Sequence, residues 1–218
     1  LGKDEGVSGD NTIIFAASPI ATGQKFEDDY SNNKAFQSSF GVYASNPSEV
    51  YPNHYGASDL RVALQGMATN TSYFTTAEQG LMNATTVTTN DTKNSVTYTT
   101  TDKLYALQGN YNDNNKLWAG TSDSTVLAMS SYWSNGSWFW LRSPCDYGES
   151  IALFAIPGTY VNYQSVNYEY AVQPASNLNL SSVLFASAAT AASSDTVKSD
   201  TIASGTAMTL RLNGTGKN

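Results

Sequence analysis

The sequence predicts an α+β domain: two helices packed on a twisted antiparallel sheet, with long loops between the elements. Three observations support this fold class. The segment Ser58–Met67 places four apolar side chains on one face at helical spacing. The second half of the chain contains short apolar runs separated by Pro and Gly, a pattern typical of strands joined by turns. Residues 23–55 are dense in Asn, Ser, Asp and Tyr without an apolar period, which indicates a long loop region.

Both helices are predicted from capping residues as well as from periodicity. Ser58 is a favourable N-cap for the first helix, and Asp59 lies at its positive end. A second helix is predicted over Thr76–Ala84, where Thr75 and Glu78 have the spacing of a capping box. We expect the two helices to pack on the same side of the sheet.

The strands are predicted from short runs rich in β-branched and aromatic residues. They are Asn11–Ala17, Lys103–Leu107, Trp138–Arg142, Ser150–Ile156, Tyr160–Val166 and Tyr168–Val172, with Val183–Ala186 as a candidate to close the sheet. Alternation along one strand predicts Trp138 and Trp140 on one face and Phe139 on the other. The Thr/Asn tract Thr85–Asp102 has strand propensity but few apolar side chains, so we expect an exposed ribbon there.

The chain divides into three parts by composition. Residues 1–187 form the predicted domain, residues 188–206 an Ala/Ser/Thr-rich linker, and residues 207–218 a terminal segment. Met208–Leu212 has the pattern of a single strand. It either returns to the main sheet or opens a following module, and the intervening linker favours the second alternative.

Composition excludes several classes of protein. The chain has 218 residues, a net charge of −7 and no cluster of Lys and Arg, so we expect no binding to nucleic acid. No apolar run approaches the length of a membrane-spanning helix, so no membrane insertion is expected. One cysteine forbids an internal disulfide, and one histidine forbids a multi-histidine metal site. The low charge and absence of heptads predict a monomer, and the aromatic, weakly charged composition suits an exported β-rich domain.

Several ordered motifs resemble those of a bacterial domain-of-unknown-function family, number 6273. The family pattern WWLRSP is matched by Trp140–Pro144, and its VRPA segment by Ala171–Ala175, read as AVQPA. Tyr55–Arg61 resembles the start of its first helix, Thr76–Glu78 its T..E segment, and Asp102–Tyr105 its DKVF segment. The resemblance covers about residues 53–186.

Two departures from the family pattern matter. Gln173 replaces the arginine of VRPA, so any ion pair of that arginine is absent or replaced. The family's W-R-V-L-like first strand has no counterpart before Leu1, which predicts a domain lacking that strand.

The resemblance implies a C-type lectin-like fold, similar to that of sulfatase-modifying-type domains. It implies that Leu60, Leu64, Trp140, Arg142 and Pro174 form the structural core of the motifs. It also implies an extracellular or cell-wall-attached location, because family members occur in large surface proteins of Gram-positive gut anaerobes. It implies no function, because one fold carries many activities.

The sequence contains few residues suited to catalysis, and their sequence neighbours do not form a known catalytic motif. Cys145 is followed by Asp146, whose carboxylate disfavours a thiolate, so we expect a loop residue. His54 is the only imidazole and no nucleophile-elbow motif accompanies it, so we expect a surface or capping role. Glycosidases need a pair of carboxylates, and the spacing of Asp28–Asp29, Asp146 and Glu149 selects no pair. The sequence therefore predicts a non-enzymatic protein, with an unrecognised hydrolase as the third alternative.

No metal or cofactor is expected. Asn110–Asn115 carries alternating side-chain oxygens, but calcium loops normally bring several carboxylates and a glycine, so a plain turn is predicted. Gln173–Ala175 is similar to the Gln-Pro-Asp sugar motif of calcium-dependent lectins, except that Ala175 replaces the metal-binding carboxylate.

A run of Tyr and Asn gives the candidate binding site. Tyrosine supplies a large rigid contact area at low entropic cost, which is why it dominates binding loops. The competing interpretation is cross-strand packing of tyrosines on a solvated sheet face. The candidate ligand-binding residues are Trp133, Tyr147, Glu149, Tyr160, Asn162, Tyr163 and Asn167. The expected partner is a glycan or a host or bacterial surface protein; the alternative is a structural spacer without a ligand.

Overall fold

The computed structural model describes residues 11–16, 18–28, 50–111, 116–118, 126–128, 137–157, 160–179, 183–188 and 208–212. Over these residues the chain is α+β, as predicted. A 3-10 helix at Tyr55–Ala57 precedes α1 (Asp59–Thr69) and α2 (Thr76–Leu81). The strands are β1 (Asn11–Phe15), β2 (Ala21–Lys25), β3 (Thr85–Asp91), β4 (Val96–Asp102), β5 (Gln108–Gly109), β6 (Lys116–Trp118), β7 (Val126–Ala128), β8 (Phe139–Pro144), β9 (Ile151–Ile156), β10 (Tyr160–Ser165), β11 (Glu169–Val172), β12 (Ala175–Asn179), β13 (Val183–Ala188) and β14 (Met208–Leu212).

The helices begin where their caps predict. The Ser58 hydroxyl accepts a hydrogen bond from the backbone N–H of Arg61 at 3.1 Å. Thr75 and Glu78 form both hydrogen bonds of the capping box. The predicted end of α2 at Ala84 is wrong, because Met82 is extended and forms an isolated bridge with Leu178, which draws the chain into β structure after Leu81.

The central sheet has five strands in the order β10-β9-β8-β11-β2. The sequence predicts a wholly antiparallel sheet. This prediction is wrong, because β8 and β11 pair in parallel at Phe139 and Ala171. The chain leaves β10 at one edge and crosses to the far side of β8 before forming β11. Short turns indicate antiparallel neighbours, but they carry no information about such a crossover.

The central sheet separates two layers of core, as alternation along β8 predicts. Trp140 packs on one face with Leu60 and Leu64 of α1, in what we call the first core layer. Phe139 and Leu141 pack on the other face, in the second core layer. The side chain of α2 residue Leu81 belongs to the same layer as α1, so both helices lie on one side. The remaining expected core residues, Arg142 and Pro174, are buried too.

The Thr/Asn tract is not the exposed ribbon that its composition predicts. It forms the β3–β4 hairpin, in which Thr88 pairs with Thr99, and alternate side chains of both strands are buried. Val87 and Tyr98 enter the core, and the other inward positions are threonines and aspartates. The prediction was wrong because most of those polar side chains find hydrogen-bond partners inside the protein rather than in water; they are Thr85, Asp91, Thr100 and Asp102.

Residues 103–107 cross the core without forming the predicted strand. Apart from one bridge between Tyr105 and Ala175, their backbone hydrogen bonds go largely to side chains. Gln65 donates to the carbonyl of Leu104 at 2.6 Å, and Arg142 Nη1 donates to the carbonyl of Ala106 at 2.7 Å. Buried backbone groups need partners, and here distant side chains replace a neighbouring strand.

A buried ion pair joins α1 to the β3–β4 hairpin. Arg61 Nε donates to Asp102 Oδ1 at 2.7 Å, and the two side chains are 1% and 0% exposed. Arg61 also donates to the carbonyls of Gly56 and Thr101, and Thr100 donates to the second carboxylate oxygen. Burial raises the pKa of Asp102 and lowers that of Arg61, while their mutual attraction opposes both shifts.

Gln173, which replaces the arginine of the family pattern, makes a hydrogen bond inside the domain. Its side chain is buried and Nε2 donates to the carbonyl of Ala16 at 2.8 Å. The amide therefore links the segment before β12 to the segment after β1, and these two strands pair antiparallel.

The strand at Met208–Leu212 pairs with β13, in an antiparallel pair that includes none of the other described strands. The expectation that residues 183–186 close the main sheet is therefore wrong. Most of the predicted linker lies outside the described residues, and the domain boundaries stay a prediction.

We expect Asp102→Asn to lower the free energy of unfolding by about 3–5 kcal/mol, because it leaves the Arg61 charge buried without its counterion. The matched control is Asp28→Asn, which removes an exposed partner of Lys25 and should cost less than about 1 kcal/mol. Urea denaturation at pH 7 measures both. Equal small losses in the two variants would contradict the role assigned to the buried pair.

Candidate functional site

Three tyrosine rings meet at the surface. The ring centroids of Tyr111 and Tyr163 are 5.0 Å apart, those of Tyr147 and Tyr163 5.1 Å, and those of Tyr111 and Tyr147 5.6 Å. All three contacts are edge-to-face, the geometry that aromatic pairs favour. We call Tyr111, Tyr147 and Tyr163 the tyrosine cluster.

Each ring of the tyrosine cluster comes from a different element. Tyr163 lies in the middle of β10, opposite Leu153 of β9, and packs against the second core layer. Tyr111 follows β5 and packs against the same layer. Tyr147 lies in the loop between β8 and β9. The cluster therefore depends on the tertiary fold, because these residues are distant in sequence.

The loop that carries Tyr147 is held by Asn53. The Asn53 side-chain amide donates to the carbonyls of Gly148 and Ile151, both at 3.0 Å, and its backbone N–H donates to the carbonyl of Glu149. A side chain at Gly148 would press on Ile151, since a Cβ there would lie 3.1 Å from Ile151 Cδ1. These contacts fix the position of Tyr147 relative to Tyr163.

The tyrosine cluster presents rings, hydroxyls and nearby carboxylates to solvent. Tyr147 is 59% exposed, while Tyr111 and Tyr163 are half-buried. The Tyr147 hydroxyl is a hydrogen-bond donor at neutral pH, as for any tyrosine, and slight desolvation, Tyr111 and Asp146 raise its pKa further. Asp146 is exposed and Glu149 half-buried in the same loop. The arrangement suits contact with a ligand that has both apolar faces and hydroxyl groups.

The structure brings together some of the predicted binding residues. Tyr147 and Tyr163 are in contact, and Glu149 lies in the loop of Tyr147. Asn162 alternates to the other face of β10, and its Oδ1 accepts a hydrogen bond from the backbone N–H of Tyr163. Asn167 lies in the turn after β10, where Oδ1 is buried without a hydrogen-bond partner.

Two other predicted binding residues are described less fully or not at all. Tyr160 begins β10, and only its backbone is described. Trp133 lies outside the described residues. The prediction for each stays untested.

Sequence reasoning missed Tyr111 and Asn53. The signal for Tyr111 is an aromatic residue inside the Asn-rich segment after β5, which we interpreted as a turn. Asn53 carries no sequence signal, since only the fold places it beside the β8–β9 loop.

A second exposed aromatic residue lies on the opposite face of the sheet. Trp138 is 46% exposed and stacks on Phe154 at 5.3 Å with an interplanar angle of 24°. It also contacts Tyr170 edge-on at 5.7 Å. Trp138 shares the face of Trp140, as alternation predicted, and provides a comparison for the tyrosine cluster.

A model of a family described as a domain of unknown function, DUF6273, matches residues 27–180. The chain belongs to this family. The resemblance in the sequence motifs is thereby confirmed, and the match begins earlier than the motifs indicate. Searches of curated proteins and of solved structures found no match.

Most motif residues of the DUF6273 domain lie in its interior, although the segment Thr76–Glu78 is exposed at the start of α2. Tyr55, Arg61, Asp102 and Arg142 are all fully or nearly fully buried. Burial lowers the pKa of the Arg142 guanidinium to about 10, and Arg142 donates to the carbonyls of Thr88 and Ala106. These motifs therefore maintain the fold of the DUF6273 domain, and its binding surface has to be sought outside them.

The only histidine of the DUF6273 domain is buried, which overturns the expected surface role. His54 is 6% exposed, and its ring stacks on that of Tyr98 at 3.9 Å with an interplanar angle of 12°. It occupies the N-cap position of the 3-10 helix, without a side-chain capping hydrogen bond. The prediction was wrong because the polar sequence around His54 does not reveal that the β3–β4 hairpin covers it.

Cys145 of the DUF6273 domain is buried directly after β8. Burial is the main cause that raises the pKa of its thiol, and the adjacent Asp146 carboxylate adds to it. The thiol lies 3.7 Å from Asp146 Oδ1. The expectation that the carboxylate disfavours a thiolate is confirmed.

The Asn-rich segment considered for calcium lies mostly outside the described residues, from Asn112 to Asn115. In the part of the chain that the structure describes, no group of three or more His, Cys, Asp or Glu side chains is placed to hold a metal ion. Neither described helix has the length and apolar character needed to cross a membrane.

We expect the DUF6273 domain to lose stability as the pH falls from 6.5 to 4. Burial lowers the pKa of His54 from 6.5 to about 4, against smaller opposing effects of a backbone hydrogen bond and Asp91. The unfolded chain therefore binds a proton that the folded chain does not, which costs roughly 3 kcal/mol across this interval.

The matched variant is His54→Phe, which keeps a ring on Tyr98 but does not titrate. Urea denaturation of both proteins at several pH values separates the histidine from the carboxylates, which titrate in both. The difference between the two stabilities should change by roughly 3 kcal/mol between pH 7 and pH 4. Parallel stability curves would show that His54 is not the titrating group.

Proposed function

We propose that this DUF6273 domain is a non-catalytic recognition module of an extracellular or cell-wall-attached bacterial protein. It binds a glycan or a surface protein through the tyrosine cluster. The observation that carries the proposal is the contact of three tyrosine rings from three elements at one exposed place.

The physical argument rests on rigidity. Each ring is held by the other two, and Tyr163 and Tyr111 are anchored in the second core layer. A ligand therefore contacts a surface that is already ordered, so little side-chain entropy is lost on binding. The hydroxyls and the adjacent Asp146 and Glu149 supply donors and acceptors for hydroxyl groups of a ligand.

We further propose that the α+β architecture is of the C-type lectin-like type. Two features support it: both helices pack on one side of the central sheet, and β1 pairs antiparallel with β12. In this proposal, β1, which precedes the family-matched range, closes the domain by pairing with β12 at the end of that range, and the loops carry recognition.

The buried state of the reactive groups supports a non-catalytic role. Among the described residues, His54 stacks on Tyr98 and Cys145 has a raised pKa, so neither is poised as a base or nucleophile. A hydrolase built on Asp146 or Glu149 is the remaining enzymatic alternative. Turnover of a glycan that is lost in Asp146→Asn or Glu149→Gln would establish it.

A structural spacer is the second candidate function. The observation that favours it is the β13–β14 pair, which follows the family-matched range and joins none of the other described sheets. Such a pair suits a junction between successive modules of a long surface protein. A spacer has no ligand, so it is distinguished by the same binding experiments.

We expect Tyr147→Ala to weaken binding to immobilised mucin by about 5- to 150-fold, since truncating an aromatic anchor costs about 1–3 kcal/mol. Tyr163→Phe keeps the ring and removes only the hydroxyl, so it separates stacking from hydrogen bonding. The matched control is Tyr73→Ala, an exposed tyrosine in the turn between α1 and α2. Surface plasmon resonance measures all three.

The competing surface is tested by Trp138→Ala, on the opposite face of the sheet. Unchanged binding of Tyr147→Ala together with loss in Trp138→Ala would move the site to that face. Absence of mucin and glycan binding by the folded protein would favour the spacer.

A further inference from the structure

Two carboxylates without a counterion lie in the loop of the tyrosine cluster. Asp146 is exposed and Glu149 half-buried, on either side of Tyr147. In the part of the chain that the structure describes, neither carboxylate forms a salt bridge. Residues 143–197 contain no Lys or Arg, and this range includes β9 and β10 as well as the loop. The negative charge of the loop is therefore not neutralised by its neighbours in sequence.

This negative charge reaches the tyrosine cluster. Slight desolvation, Tyr111 and the Asp146 carboxylate raise the pKa of the Tyr147 hydroxyl, and no Lys or Arg among the described residues acts on it. A carboxylate attracts cations and repels anions over a distance of about 8 Å at physiological ionic strength. The exposed ring of Tyr147 is therefore a better place for a positively charged ligand than for a negatively charged one.

The rings themselves favour a positive group. The face of an aromatic ring carries partial negative charge, so a cation within about 6 Å of the ring centroid is attracted to it. Tyr147 is 59% exposed, so part of its ring remains open to solvent although both other rings of the cluster contact it. A cation over Tyr147 is thus attracted by the ring and by Asp146 together.

The hydroxyls of the tyrosine cluster indicate which kind of cation fits. Among the described residues, no group hydrogen-bonds the hydroxyl of Tyr111, Tyr147 or Tyr163. Each hydroxyl can therefore donate to an acceptor on a ligand. Lysine and arginine side chains have donors but no acceptor. A sugar with a free amino group carries a cation, hydroxyl acceptors and an apolar ring face within one residue, so it matches all three features of the surface.

We propose that the tyrosine cluster binds a sugar residue with a free, protonated amino group, which lies over the ring of Tyr147 and beside Asp146. This inference rests on the proposed function, because it names the ligand class of the same site. Glu149 adds a second negative charge to the loop. The site is therefore selective by charge: glycans with free amines bind most tightly, neutral glycans less tightly, and glycans with carboxylate or sulfate groups are disfavoured.

The test compares two trisaccharides of the same linkage, one of glucosamine and one of N-acetylglucosamine, by isothermal titration calorimetry at about pH 6. The wild-type protein should bind the glucosamine trisaccharide about 5- to 30-fold more tightly, from an exposed cation–π contact and an exposed ion pair together. Raising the NaCl concentration from about 0.02 M to about 0.5 M should reduce this ratio, because salt screens exposed charges. Equal affinities, or tighter binding of the acetylated trisaccharide, overturn the proposal.

Two variants with the same change in net charge locate the carboxylate that matters. Asp146→Asn should lower the ratio of the two affinities toward one. Glu169→Gln is the matched control, because Glu169 is exposed and lies beside Gly23 of β2, at the edge of the central sheet opposite β10. This control should leave the ratio unchanged. An equal effect of both variants would show attraction by the net charge of −7 alone, and it would overturn the proposal.

Tyr147→Ala separates failure of this proposal from failure of the proposed function. It should weaken binding of the glucosamine trisaccharide more than binding of the acetylated one. If the wild-type protein binds both trisaccharides equally and Tyr147→Ala weakens both equally, the charge preference is wrong while recognition through the tyrosine cluster stands. Tighter binding of a lysine-containing peptide of the same charge than of the glucosamine trisaccharide would overturn the assignment to a sugar.

Discussion

A buried ion pair between Arg61 and Asp102 holds helix α1 against the β3–β4 hairpin. It fixes the first turn of α1 to the end of β4, directly before residues 103–107 cross the core. Residues 103–107 form few backbone hydrogen bonds with a neighbouring strand. Side chains such as those of Gln65 and Arg142 supply hydrogen bonds to this segment instead. Buried charges are costly unless fully paired, so this network specifies one arrangement of helix, hairpin and crossing segment.

Because buried contacts hold the fold together, the surface loops can differ in sequence between family members without loss of the fold. Most motif residues shared with the DUF6273 family are interior, the exposed segment Thr76–Glu78 excepted, whereas the tyrosine cluster lies outside the motifs that identify the family. The β8–β9 loop illustrates the separation, because Asn53 holds its backbone from within while Tyr147 points to solvent. Function is accordingly expected to follow the loops of each family member.

Local signals predicted local structure well. The caps at Ser58 and Thr75 located both helix starts, and alternation along β8 assigned Trp140 to the correct face. Features that depend on distant parts of the chain were missed. The parallel placement of β11 requires a crossover, and the burial of His54 requires the β3–β4 hairpin above it. The binding candidates show the same division. Tyr147 and Tyr163 follow from composition, but their meeting with Tyr111 follows only from the fold.

We propose that the DUF6273 domain recognises a ligand through an ordered aromatic surface that needs no metal. Binding of the purified protein to a broad glycan and mucin array, with and without a chelator, tests it most directly. We expect binding to a defined group of ligands that is unchanged by the chelator. Binding that the chelator abolishes, or a folded protein that binds nothing on the array, would contradict it.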